Sequence, residues 1–209
     1  MADWATISSL ATAGGTTVLA VATFVSVRSA NRSARIAERA VQIGLRPVLM
    51  PSHLQAPPEK LRWLEGRWTT VRGGRASVEE EDGVIFLAMS LRNAGAGIAV
   101  LQSWDAKPGV TTLQEFPNLD RFRRQQRDLY VAPGDTSFWQ GAIRDPNEAS
   151  YPDLHQLVTA RQPMTIDLLY SDGEGGQRTV SRFALDPGPE TDWIASVVRH
   201  FNLDRADPR

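Results

Sequence analysis

The chain has no cysteine, which excludes a disulfide framework, a cysteine-ligated zinc site, an iron–sulfur cluster and a thiol nucleophile. Lysine is nearly absent too, since 21 of the 23 basic residues are arginine. Neither charge sign dominates: 23 basic residues face 24 acidic ones, a net charge of −1. A wholesale attraction to nucleic acid is therefore not expected, and no nucleic-acid partner is assigned. Histidine is scarce, with only His53, His155 and His200. None of them pairs with another histidine or a carboxylate at a helical metal spacing, and His200 near Asp204 reads as a surface or partly buried residue. Walker loops, Gly-x-Ser-x-Gly elbows and His-Glu-x-x-His motifs are missing as well. Gly95-x-Gly97 lacks the third glycine and falls between strands, so it does not cradle phosphate. No catalytic residue, metal or cofactor is expected.

Charge is missing altogether from Trp4 to Val27, a run of 24 residues. As a helix it spans roughly 36 Å, enough to cross a hydrocarbon core of about 30 Å. A cleaved signal peptide needs a basic start, yet the chain begins Met1-Ala2-Asp3. A buried soluble helix is the rival, because eight of these residues are Ser or Thr. The membrane anchor is the leading reading. Arg28, Arg32, Arg35 and Arg39 follow the run directly. Cytoplasmic flanks carry the arginine excess, so the expected topology is a single-pass cell-membrane protein, N-terminus outside and C-terminal domain cytoplasmic.

At helical spacing Ser9, Ala13, Thr16 and Ala20 share one side with Thr12 and Thr23, while Ile7, Leu10, Val18, Val21 and Val25 face away. Small and hydroxylated residues let helices approach, so this stripe is the expected helix-association face, with itself or another membrane protein. The alternative is that each hydroxyl bonds back onto its own helix. The helix is expected to run on to about Gly44, with Pro47 as a stop. On that extension the four arginines form one stripe, suited to lipid headgroups and orientation. Ala30, Ala34, Ala37 and Val41 form the opposite one.

Beyond Arg46 the period changes to two. Ile85, Leu87, Met89 and Leu91 alternate within Val84 to Arg92, and Phe86 breaks the polar face, which predicts that part of that face is covered too. Further strands are expected over Leu45 to Leu54, Ile98 to Trp104, Thr136 to Ile143, Met164 to Tyr170, Gln177 to Leu185 and Trp193 to Phe201. Six or seven strands with Gly/Pro turns predict a mainly β fold, an antiparallel immunoglobulin-like β-sandwich preceded by a long N-terminal transmembrane α-helix. Residues 1–45 are the helix and neck, and 46–209 the sandwich.

Two segments do not fit a simple hairpin. Gln55 to Asp82 carries two Trp, four Arg and the run Glu79-Glu80-Glu81-Asp82; it reads as an added hairpin through Gly73-Gly74 or a mobile flap. Lys107 to Asp128 reads as a connection bearing Arg121, Arg123, Arg124 and Arg127. This is either a solvated or headgroup-facing loop or, less simply, a phosphate or RNA contact. Asp172-Gly173-Glu174-Gly175-Gly176 lacks the spaced carboxylates of a calcium loop and reads as a hairpin turn.

The corner Leu91-Arg92-Asn93-Ala94-Gly95-Ala96-Gly97, the turn Pro133-Gly134-Asp135 and the hairpin Leu168-Leu169-Tyr170-Ser171-Asp172-Gly173 follow an N-terminal apolar helix and an Arg-Pro entry. In this order they resemble a set of uncharacterised bacterial single-pass membrane proteins with an immunoglobulin-like tail. The resemblance implies a fold and a membrane address, and no catalytic residue. The expected function is a membrane-anchored protein-interaction module, with a protein partner or homo-oligomer formed through the helix. The rivals are an enzyme with its active site on a sandwich loop and a soluble structural oligomer bundled by the N-terminal helix.

Overall fold

The computed structural model describes residues 4–110, 115–189 and 191–204, with backbone alone at 4–12, 39, 42, 43 and 128. The chain divides into two compact units, 1–44 and 45–209.

The first unit is one α-helix, α1 (Trp4–Gly44), of 41 residues, roughly 60 Å long at 1.5 Å per residue. No proline interrupts it, and Gly44 closes it ahead of Pro47. Between Ala13 and Glu38 it is long and apolar enough to cross a membrane, and none of that window is buried. Val18, Leu19 and Phe24 are about two-thirds exposed or more, at 70%, 69% and 66%.

The second unit is antiparallel β structure with one helix. Its strands are β1 (Leu49–Pro51), β2 (Glu59–Arg62), β3 (Trp68–Val71), β4 (Arg75–Glu81), β5 (Val84–Asn93), β6 (Ala99–Pro108), β7 (Arg123–Val131), β8 (Thr136–Ile143), β9 (Met164–Ser171), β10 (Thr179–Pro187) and β11 (Trp193–Asn202). Nine of them form one sheet, and β2–β3 is a separate hairpin. The sheet runs β7-β6-β9-β10-β11-β4-β5. On one edge of β5, β4 pairs along Val84 to Met89 and β1 takes over at Leu91 to Asn93. On its other edge β8 pairs from Ile85 to Arg92.

The alternating residues of β5 turn inward as the sequence predicts. Ile85, Leu87, Met89 and Leu91 join Trp104 of β6, Trp139 of β8, Ile166 and Leu168 of β9, and Phe183 and Leu185 of β10 in one core. Trp104 meets Trp139 edge to face at 5.3 Å. Gly141 makes room for that pair, since a Cβ there would lie 2.7 Å from the Trp104 ring. The break at Phe86 is explained by the β2–β3 hairpin, whose Leu61, Trp63 and Val71 pack on Phe86 and Ala88 from outside.

Several expectations are corrected. The described residues contain eleven strands, not six or seven. The first strand is only Leu49–Pro51, because β4 takes over the same edge of β5 from Met89. The extra hairpin exists, but its turn is Trp63–Arg67, closed by Trp63 N–H to the Arg67 carbonyl at 2.9 Å with Gly66 at φ +83°. Gly73 and Gly74 instead mark a close passage, where a Cβ on Gly73 would stand 2.2 Å from the His53 carbonyl oxygen. The Arg-bearing connection ends in strand β7, which reads Arg-Arg-Gln-Gln-Arg-Asp-Leu-Tyr-Val. Its polarity suits an end strand of the sheet and hides it from an apolar-alternation test. An unforeseen helix, α2 (Tyr151–Thr159), carries Pro152 in its first turn and inserts Leu154 and Leu157 into the core against β4 and β6. The Met164–Tyr170 and Gln177–Leu185 hairpin and the final strand are present in the pairings β9–β10 and β10–β11.

Candidate functional site

On α1, Ala13, Thr16 and Ala20 of the expected association stripe are exposed, and the Ser9 side chain lies outside the described residues. Arg28, Arg32 and Arg35 are exposed on the same helix, while the Arg39 side chain is likewise outside the description. Two hydroxyls bond back one turn: Thr17 Oγ1 donates to the Ala13 carbonyl at 2.9 Å and Thr23 Oγ1 to the Leu19 carbonyl at 2.8 Å. Such bonds satisfy a hydroxyl where no water is at hand.

A heavily bonded feature of the β unit is where the chain enters it. Asn93, 1% exposed, ends β5 and holds three segments at once. Its Oδ1 accepts from Val48 N–H at 3.1 Å and Gly95 N–H at 3.0 Å. Its Nδ2 donates to the carbonyls of Gly97 at 2.6 Å and Val131 at 3.0 Å. Ala94 N–H returns a bond to the Val48 carbonyl at 2.8 Å. Two glycines let the entering backbone pass, for a Cβ on Gly95 would sit 2.2 Å from the Arg46 carbonyl oxygen and one on Gly97 1.7 Å from that of Leu45. The Asn-x-Gly-x-Gly corner is thus a clamp on residues 45–48, not merely a turn. Leu49 N–H adds a bond to the Tyr170 hydroxyl at 3.2 Å, and Arg46 reaches Thr179 Oγ1 at 2.7 Å.

A second polar feature lies on the face of the β10-β9-β6 sheet turned away from the core. Asp167 and Arg182 are both 0% exposed and form a bidentate pair, Nε to Oδ1 at 2.7 Å and Nη2 to Oδ2 at 2.9 Å. Lys107 donates to Asp167 at 3.1 Å, and Arg182 also donates to the Glu115 carbonyl at 2.8 Å. Asp105, directly across from Asp167 in the ladder, is 1% exposed. Its nearest cations, Lys107, Arg121 and Arg123, stand at 3.7 Å, too far for hydrogen bonds. Burial therefore dominates and pushes its carboxyl above the usual aspartate range, against the attraction of Arg121, Lys107 and Arg123. The signal for this row was in the sequence: the Met164–Tyr170 alternation sends Asp167 to the other face, and the hairpin register sets Arg182 beside it. The segment around Glu115 and Phe116 covers that face, with Phe116 edge-on to Phe201 at 5.5 Å.

The three histidines stay apart in role. His53 is exposed. His155 stacks on Tyr151 and meets Glu80 at 2.6 Å. His200 Nδ1 lies 2.6 Å from Ser181 Oγ, which lies 2.8 Å from the Tyr170 hydroxyl. Ser181 and Tyr170 are both fully buried, so this serine is closed to a substrate and the chain reads as a strut. No group of three or more His, Asp or Glu among the described residues is placed to hold a metal. In the loop after β9, Asp172 Oδ1 caps Gly176 N–H at 2.8 Å and Gly175 takes φ +75°, the chemistry of a hairpin turn. A cavity of about 90 Å³ lies between Trp63 and Trp104, bordered by Arg123, Gln125 and Gln140.

No family model, curated protein or solved structure matches this chain.

Proposed function

We propose that the chain is a single-pass membrane protein whose β unit, an elaborated immunoglobulin-like sandwich, serves as a protein-interaction module. The observation that carries the reading is the unburied apolar stretch Ala13–Glu38 of α1, in a chain whose β unit has a core of its own. Exposed Val, Leu and Phe in such a row need lipid or another helix to cover them. The arginines after the run favour an outside N-terminus and a cytoplasmic β unit in the cell membrane, with Arg28, Arg32, Arg35 and Arg39 at the headgroups. Ser9, Ala13, Thr16 and Ala20 are the proposed contact with a second copy or a membrane partner. The entry clamp supports the same reading, since it fastens the β unit to the chain directly after α1.

Membrane fractionation of tagged protein with protease added outside intact cells is the test. A tail kept in the membrane pellet and cut only after lysis is the expected result. Extraction without detergent would replace the anchor with a helix-bundled oligomer. Crosslinks between cysteines introduced at Ala13 and Thr16 would then be expected in solution.

A further inference from the structure

We propose that the outer face of the β2–β3 hairpin is a docking surface for an anionic lipid bilayer, a reading that rests on the membrane address above. The hairpin has two chemically distinct faces. Its inner one buries Leu61, Trp63 and Val71, and Trp63 donates to Thr69 Oγ1 at 2.8 Å. Its outer one carries Lys60 opposite Thr70 and Arg62 opposite Trp68, all exposed. Trp68 is 64% exposed, whereas Trp63, Trp104, Trp139 and Trp193 are at most 3%. Leu64 at the turn is 77% exposed. Nothing in the hairpin's own packing requires an indole and a leucine to stand in water.

Charge decides what covers them. The Arg62 guanidinium lies 6.0 Å from the centre of the Trp68 ring, and Arg127 of β7 donates to the Arg62 carbonyl at 3.3 Å. Among the described residues no carboxylate pairs with Lys60, Arg62 or Arg127. Among the described residues, three nearby acids have cations of their own. Glu65 takes Arg144 at 2.6 Å, a bond that holds its carboxyl below the usual range, and Glu79 and Glu81 share Arg67. Glu59 alternates to the side of Leu61. An indole among cations with an aliphatic residue at the tip matches the layers of a bilayer surface: guanidinium and ammonium on phosphates, indole at headgroup level, leucine at the acyl boundary. The anionic cytoplasmic leaflet supplies the complementary charge.

The test uses the full chain in nanodiscs of phosphatidylcholine alone and with phosphatidylserine, and reads acrylamide quenching of tryptophan fluorescence. Subtracting the signal of a Trp68→Phe variant isolates Trp68. Its quenching is expected to fall about twofold or more in the anionic discs, and to recover in Arg62→Glu/Arg127→Glu and at high salt. Equal quenching in both lipids, with the chain resisting alkaline extraction, overturns the proposal and leaves an acidic protein segment as the occupant. If alkaline extraction releases the chain, the anchor reading fails. Docking is then read from co-sedimentation of the full chain with the same two lipids as vesicles, where equal binding overturns it.

Discussion

The two units treat polarity in opposite ways. Along α1 the apolar side chains are outside, and Thr17 and Thr23 turn their hydroxyls back onto the helix. In the β unit the apolar side chains are inside, and even Asp167, Arg182 and Asp105 are taken out of water. On the reading proposed above, the contrast is that of two solvents, lipid and water. A side chain faces whatever medium its element is built for, and a buried charge is tolerated only when fixed partners replace water. Asp167 has three such bonds, whereas Oδ2 of Asp105 has close cations and no hydrogen-bond partner among the described residues.

The sharpest break is Asp167→Ala. It leaves the Arg182 guanidinium buried without its carboxylate, and is expected to cost about 3–5 kcal/mol in a urea titration of the detergent-solubilised chain. Replacing both, as Asp167→Leu/Arg182→Met, is expected to recover most of that loss. On the helix, Val21→Arg puts a charge into the apolar run at about 2.5–3.5 kcal/mol of insertion free energy. The mutant is expected to lose membrane association while the β unit's unfolding midpoint is unchanged. Asn93→Ala strips the entry clamp of its side-chain bonds, and a loss of about 2–3 kcal/mol is expected by the same titration. The smallest effect concerns pH. The Asp105 carboxyl is raised by burial, so the folded chain holds that proton longer than the unfolded one. Its contribution is present below the unfolded pKa and is lost as pH rises from about 4 through the folded value. Thermal midpoints across that range are expected to show a shallower decline in Asp105→Asn than in the parent.

What could be read from the sequence is what local pattern encodes. Ile85, Leu87, Met89 and Leu91 disclose their strand, Phe86 discloses the second layer over it, and the turn at Asp172–Gly176 discloses its hairpin. The unbroken helix to Gly44 was legible for the same reason. Strand β7 was not, because an end strand written in arginine and glutamine lacks the alternation that burial imposes. Helix α2 was not, because nine residues with a proline offer only about two and a half turns of periodicity. Of the site, Asn93 was recognised as part of a corner. What it grips depends on residues 45–48 returning to it, which no window of neighbouring residues contains.

The clamp also imposes an order of events during synthesis. Leu49 N–H waits for Tyr170, 121 residues later. At about 5–20 residues per second that tyrosine is made roughly 6–24 s after the strand it will hold. The apolar helix has then left the ribosome well before that bond can form. On the membrane reading proposed above, a translocation machine would meet α1 on a slack tether, before Tyr170 can hold the strand at the entrance of the β unit.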